Sequence, residues 1–465
     1  MDLLIMIFSW ALAIVAIIIA IAKRETNRTV AILLVVSSFL SIGTGSITYF
    51  KATKADENAK KAEKTAEKLN KATKLSVLLG TYPPETQKQW IDEEDELTEE
   101  IKNSRVEEAD KVLAKLSFGL AMVALKRDDI KPCIEFLDYS LFFAETGIVH
   151  NMKGVIYYRT DTTKALKEYQ LGLKINPKSP ISHNNYGAAL VDQGKHAEAE
   201  KEFREAIRLK QDYANAHLSL GNVLRVQKKF EEAEREYLEA IRLKPVNAGA
   251  HLNLGLTYYR QGYFEKAIVE YQIAIQQEPN EVSGHLNLGA ALVEQGKHVE
   301  AEKEFREVIR LNPNYEPARC NLGGTLRLEG KFEEAEKELR EAIRLNPNDA
   351  PTHYNLGLAL YDRGKREEAE KEFRETIRLN PAYADVHNNL GILLEDQGKH
   401  EEAEKEIREA IRLNPELAEP LENLAVILYM QGRRKESREL SERALKAEKR
   451  PDRIELIKQR RFGPH

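Results

Sequence analysis

The sequence is short of cysteine, of aromatic residues and of any excess of one charge. Its 465 residues hold 2 cysteines, Cys133 and Cys320, which lie far apart and form no C-x-x-C pair. A disulfide framework and a zinc–thiolate site are therefore not expected. Lys and Arg number 70 against 75 Asp and Glu, a net charge of −5. Nucleic acid is set aside as a partner, because its phosphates call for a basic footprint. Catalytic signatures are missing as well: there is no G-x-S-x-G, H-E-x-x-H or dinucleotide fingerprint. The stretch "GGTLRLEGKF" (323–332) approaches a phosphate-binding loop. However, five residues separate Gly324 from Gly330 where the loop needs four, and Phe332 replaces the metal-binding hydroxyl. The chain reads as a non-enzyme with no cofactor and no bound metal.

Charge is also scarce in the first 50 residues. Leu3–Ala22 and Thr29–Phe50 are apolar runs, each long enough to cross ~30 Å of hydrocarbon at ~1.5 Å per residue. Ser37, Ser41 and Gly45 form a small-residue stripe suited to close helix packing. Residues 1–50 are thus expected to be a transmembrane hairpin, making the chain a two-span membrane protein. The lysines after the second run outnumber the Lys and Arg of the loop, which places the repeat domain on the cytoplasmic side. A cleaved signal peptide ending at "AIA" (20–22) fits less well, since the start carries Asp2 and no positive charge. Residues 51–80 read as a helical stalk, its alanines from Ala52 to Ala66 at heptad spacing. A solvated helix is expected there, with weak self-association as the alternative. Pro83 and Pro84 break it, an acidic connector fills 81–113, and 114–146 reads as a divergent helix pair.

From residue 147 the chain repeats every 34 residues. Glycines stand at Gly187, Gly221, Gly255, Gly289, Gly323, Gly357 and Gly391, and an alanine follows each by 12. A large apolar residue follows each alanine by 4, as Phe373 follows Ala369, and a proline closes most units. This pattern resembles the tetratricopeptide repeat. Independently of the resemblance, each unit reads as two helices of about a dozen residues crossing at the glycine and alanine, with the large residue facing the next unit. One such pair cannot bury its apolar stripe alone, so the units must stack. The expected fold is all-α, a right-handed α-solenoid over 147–450, with 451–465 as a C-terminal capping helix and tail that covers the last face through Ile454 and Ile457.

Histidine recurs at position 4 of the unit, at His150, His183, His217, His251, His285, His353 and His387. Neighbouring helices lie ~8–10 Å apart, too far for one ion to gather ligands from successive units. These histidines are expected to pack. Position 6 carries asparagine at Asn185, Asn253, Asn287, Asn321, Asn355, Asn389 and Asn423. The resemblance implies that positions 6 and 12 line a concave groove, where an amide can grip a peptide backbone without reading its sequence. The competing reading has each amide bond its neighbouring unit. Position 12 adds Arg225, Tyr259, Arg327, Tyr361 and Tyr429. A membrane-anchored scaffold that binds partner protein segments in this groove is the expected function; the alternative is a structural or self-assembling spacer with no peptide ligand.

Overall fold

The computed structural model describes residues 63–68, 70–72, 74–75 and 108–448, and every regular element among them is an α-helix. The chain divides into two compact units, Met1–Lys228 and Lys229–His465. In the first lie α1 (Glu108–Lys126), α2 (Ile130–Phe143), α3 (Gly147–Tyr158), α4 (Thr162–Ile175), α5 (Pro180–Asp192), α6 (His196–Leu209) and α7 (Ala214–Val226). In the second lie α8 (Phe230–Leu243), α9 (Ala248–Arg260), α10 (Phe264–Gln277), α11 (Val282–Glu294), α12 (His298–Leu311), α13 (Glu316–Leu328) and α14 (Phe332–Leu345). They are followed by α15 (Ala350–Asp362), α16 (Arg366–Leu379), α17 (Ala384–Asp396), α18 (His400–Leu413), α19 (Ala418–Met430) and α20 (Arg434–Ala447).

The two-span membrane localisation expected from the sequence is corrected. No helix among the described residues is long and apolar enough to cross a membrane. From α3 onward the helices run 12 to 14 residues, at most ~21 Å against the ~30 Å of a hydrocarbon core. The longer α1 carries Glu108, Asp110, Lys111, Lys115 and Lys126. The apolar segment 1–50, most of the acidic connector and the segment from Pro451 lie outside the described residues.

In the first unit α1 begins at Glu108, ahead of the boundary read at 114. It packs on α2 around Phe118, Leu120, Leu137 and Phe143. The described stalk residues are helical, but they are not simply solvated. Leu75 is fully buried in this same core, Lys71 Nζ lies 3.5 Å from the centre of the Phe142 ring, and Lys68 pairs with Asp110.

Within a repeat the sequence explains the crossing. A Cβ added at Gly357 would stand 2.6 Å from two ring carbons of Phe373, so only glycine lets α15 approach α16 there. Gly289 and Phe305 repeat the arrangement at 2.6 Å. The large residue therefore sits on the glycine of its own pair, where the sequence reading had faced it to the next one. The turn between paired helices uses a left-handed residue, Gly364 at φ +76°. The first helices α5, α9, α11, α13 and α15 start on side-chain caps or early prolines; Asp349 accepts from the Thr352 amide at 2.9 Å, and Pro351 sits where no helical N–H is needed.

In the second unit each first helix packs on the next first helix from α9 to α15, and α17 packs on α19. The second helices are joined by long charged side chains instead. Arg306, Arg340, Arg374 and Arg408 each bond a glutamate of their own helix and reach Glu334, Glu368, Glu402 and Glu436 of the next second helix. Glu336, buried among Arg340, Arg363 and Lys365, is drawn down to about 2: burial opposes the shift, and the three cations outweigh it. First helices thus line the inner side of this unit.

Candidate protein-interaction face

The recurrent histidines sit at the contact between paired helices. His150, His217, His251, His285, His353 and His387 are buried. At His353, Nδ1 lies 2.6 Å from Glu372 Oε2 and Nε2 lies 3.0 Å from the Pro347 carbonyl. His183, His285 and His387 repeat both contacts. A carboxylate and a carbonyl only accept, and a neutral imidazole donates from one nitrogen, so making both bonds at His183, His353 and His387 calls for the imidazolium. At His353 the Glu372 carboxylate raises the imidazole against burial. At His183 and His387 burial pushes the ring down, and Glu202 and Glu406 outweigh it. The next carboxylates along, Glu205, Glu375 and Glu409, add to the pull and are themselves paired with Arg208, Arg378 and Arg412.

Because these three pKa values are raised in the folded chain, the stability they contribute is full below the ordinary histidine value of ~6.5. It is withdrawn as pH rises through the higher folded values. The melting temperature is expected to fall as pH rises above ~6.5, and His353→Gln is expected to flatten part of that fall. Thermal unfolding at a series of pH values checks this, and a profile flat or rising over that interval contradicts it.

The asparagine row does not behave as one set. Asn185 donates to Asn151 at 3.1 Å, Asn389 to the Tyr354 hydroxyl at 2.7 Å, Asn423 to Asn388 at 2.9 Å and Asn355 to Cys320 Sγ at 3.4 Å. In each case the amide bonds the preceding first helix. Asn253 turns back on its own helix, bonding the Gly249 carbonyl at 2.9 Å. Asn287 and Asn321 have no side-chain partner among the described residues, and they stand on the successive first helices α11 and α13. Asn321 is exposed, and beside it Gly324 leaves a gap where an added Cβ would meet only Asn355 Nδ2, at 3.8 Å.

Position 12 pairs along the array. Arg327 bonds Asp362 at 3.0 Å, Tyr361 donates to Asp396 at 2.7 Å, and Tyr259 reaches Glu294 at 3.5 Å. Burial, then Asp396, pushes the Tyr361 hydroxyl up to about 12. Tyr429 is 58% exposed, with the Arg434 guanidinium 5.9 Å from its ring centre. Arg225, in the first unit, is half-buried and its Nε has no hydrogen-bond partner among the described residues.

One trio among the described residues, Glu316, Cys320 and Asp349, brings potential ligand atoms within 4.8 Å of one another. The Thr352 hydroxyl already bridges its two carboxylates, at 2.8 and 2.7 Å. Burial, then Asp349, holds the Glu316 carboxyl above its usual range.

Two family descriptions match the chain. The TPR repeat matches residues 187–225 and 221–262, and the C-terminal domain of cilia and flagella-associated protein 70 matches 244–455. With the 34-residue helix pairs already in place, the first of these decides the class. The chain is a TPR repeat protein. No curated protein matches it. Among solved structures it is similar to YrrB, described as a TPR protein with an unusual peptide-binding site, at 23% identity and TM-score 0.36, covering 42% of this chain and 97% of that one. A TPR protein from Parabacteroides merdae is 20% identical with TM-score 0.45, covering 56% and 99%. Yeast Tom70 is 14% identical with TM-score 0.43, covering 75% and 94%. TPR proteins are generally non-enzymatic scaffolds that bind protein or peptide partners.

Two sets of residues escaped the sequence reading. The glutamates that hold the histidines follow them by 19 positions in the complete units, a spacing visible in the sequence. The stacked pair Tyr354 and Tyr383, and the acids Asp385 and Glu419 whose charge is felt at the Tyr354 hydroxyl, come from three TPR units, and no local pattern marks them.

Proposed function

We propose that this TPR protein is a scaffold that holds extended segments of partner proteins along the inner face of α11, α13 and α15. Successive first helices stand ~8–10 Å apart, close to three residues of an extended chain at ~3.3 Å each. The observation that carries the reading is the pair of unpartnered amides, Asn287 and Asn321, beside the Gly324 gap. An asparagine costs several tenths of a kcal/mol in a helix against alanine, and here no bond within the described residues offsets it. Each amide offers a donor and an acceptor to a passing backbone.

Affinity capture with the full chain tests the reading against Asn287→Ala/Asn321→Ala and against an equally mild pair on second helices, Glu401→Gln/Glu439→Gln. The proposal requires partners that bind the wild type and the second-helix variant and are lost from the amide variant. Partners retained equally by all three contradict it, and recovery of only the chain itself favours a self-assembling spacer.

A further inference from the structure

A second cluster lies further along the same inner face. Tyr354 on α15 and Tyr383, the residue that starts α17, hold their ring centres 4.9 Å apart at 48°. Asn389 donates to the Tyr354 hydroxyl and fixes it at 2.7 Å. Asp385, in the first turn of α17, and Glu419, in the first turn of α19, both act on that hydroxyl. Burial raises it first, then Tyr383 and Asp385, with Glu419 adding and Arg327 opposing. Asp385 also raises the Tyr383 hydroxyl, behind burial. Arg327, which opposes them, is engaged by Asp362 at 3.0 Å. Asp385 and Glu419 are exposed, and neither has a hydrogen bond or ion pair among the described residues. Helices α15, α17 and α19 hold Asp362, Asp385, Glu395, Asp396, Glu419 and Glu422, and not one Lys or Arg.

We infer that Tyr354, Tyr383, Asp385 and Glu419 form an anchor for a Lys or Arg side chain of the segment bound along this face. The inference rests on the peptide-scaffold reading and gives its ligand a chemistry: a basic segment. Two tyrosine rings offer their electron-rich faces to a cation, and the free carboxylates complete its neutralisation. An acidic segment meets like charge at the same place. A first-turn acid also suits the helix dipole by itself, a purely structural role that affects stability and leaves binding alone.

The test uses the full chain and two fluorescein-labelled decapeptides, one alternating Lys with Ala and one alternating Glu with Ala. The Lys peptide is expected to bind saturably and more weakly as salt rises, and the Glu peptide not to bind. Asp385→Asn/Glu419→Gln is expected to weaken Lys-peptide binding at least ~10-fold, a difference of ~1.4 kcal/mol. Glu401→Gln/Glu439→Gln removes the same charge from second helices and is expected to change binding less than ~2-fold, the small effect of a distant screened charge. Equal loss in both double variants, equal binding of both peptides, or a stability loss with binding intact overturns the anchor. Asn287→Ala/Asn321→Ala separates the two levels. If it weakens the Lys peptide while Asp385→Asn/Glu419→Gln does not, the anchor fails and the scaffold stands; if neither weakens it, the inner-face reading fails.

Discussion

Phe373→Ala is expected to destabilise the second unit by about 3–5 kcal/mol, the cost of emptying a large aromatic site that cannot collapse. Phe373 is 1% exposed, rests on the Gly357 backbone and lies 6.2 Å from the Tyr354 ring. Gly357 offers no side chain to swing into the space, and α15 and α16 are each tied to further helices, so the cavity persists. In an array held by nearest-neighbour contacts the damage starts at one pair and passes to those beside it. Denaturant unfolding checks the figure. A loss under ~1 kcal/mol, no more than the average for any point mutation, contradicts the packing described for the glycine position.

The second large effect concerns binding. Asn287→Ala/Asn321→Ala is expected to weaken partner binding by about 5- to 150-fold, since each amide contributes roughly 0.5–1.5 kcal/mol and ~1.4 kcal/mol is a factor of ten. Stability is expected to hold level or rise slightly, because alanine is the better helix former and no intramolecular bond is lost. Asn389→Ala is the contrast. It removes the 2.7 Å bond to Tyr354 and is expected to cost about 0.5–1.5 kcal/mol of stability. Calorimetric titration and thermal unfolding on the same samples separate the two. A lower melting temperature with unchanged affinity for the Asn287/Asn321 variant contradicts the scaffold proposal.

The helix pairs were legible because their spacing is dictated by packing. Glycine at position 8 leaves room for the large residue of its own pair, as Gly357 does for the Phe373 ring, and Ala369 at position 20 is fully buried within the same 34-residue unit. The position-4 histidines were legible as packing residues for the same reason, but their glutamate partners were not sought. The asparagine row was legible only as a row. Whether an amide bonds its neighbour depends on what stands on the preceding first helix: Tyr354 is there for Asn389, and Cys320 for Asn355. Side chains that differ from unit to unit set this, so a repeat average hides it. The division at Lys228 was not read either. That residue takes φ +62° where six other turns have glycine between +72° and +80° and a seventh has it at +81°.

The most direct measurement is site-specific photocrosslinking in the full chain, with a benzophenone residue placed at Asn321 in one variant and at Glu401 in another. Asn321 stands on the inner face of the first helices, and Glu401 on the exposed first turn of a second helix. The account predicts that a captured partner crosslinks from 321 and not from 401, and that excess unlabelled partner peptide abolishes the crosslink. Crosslinking from 401 with none from 321 contradicts it.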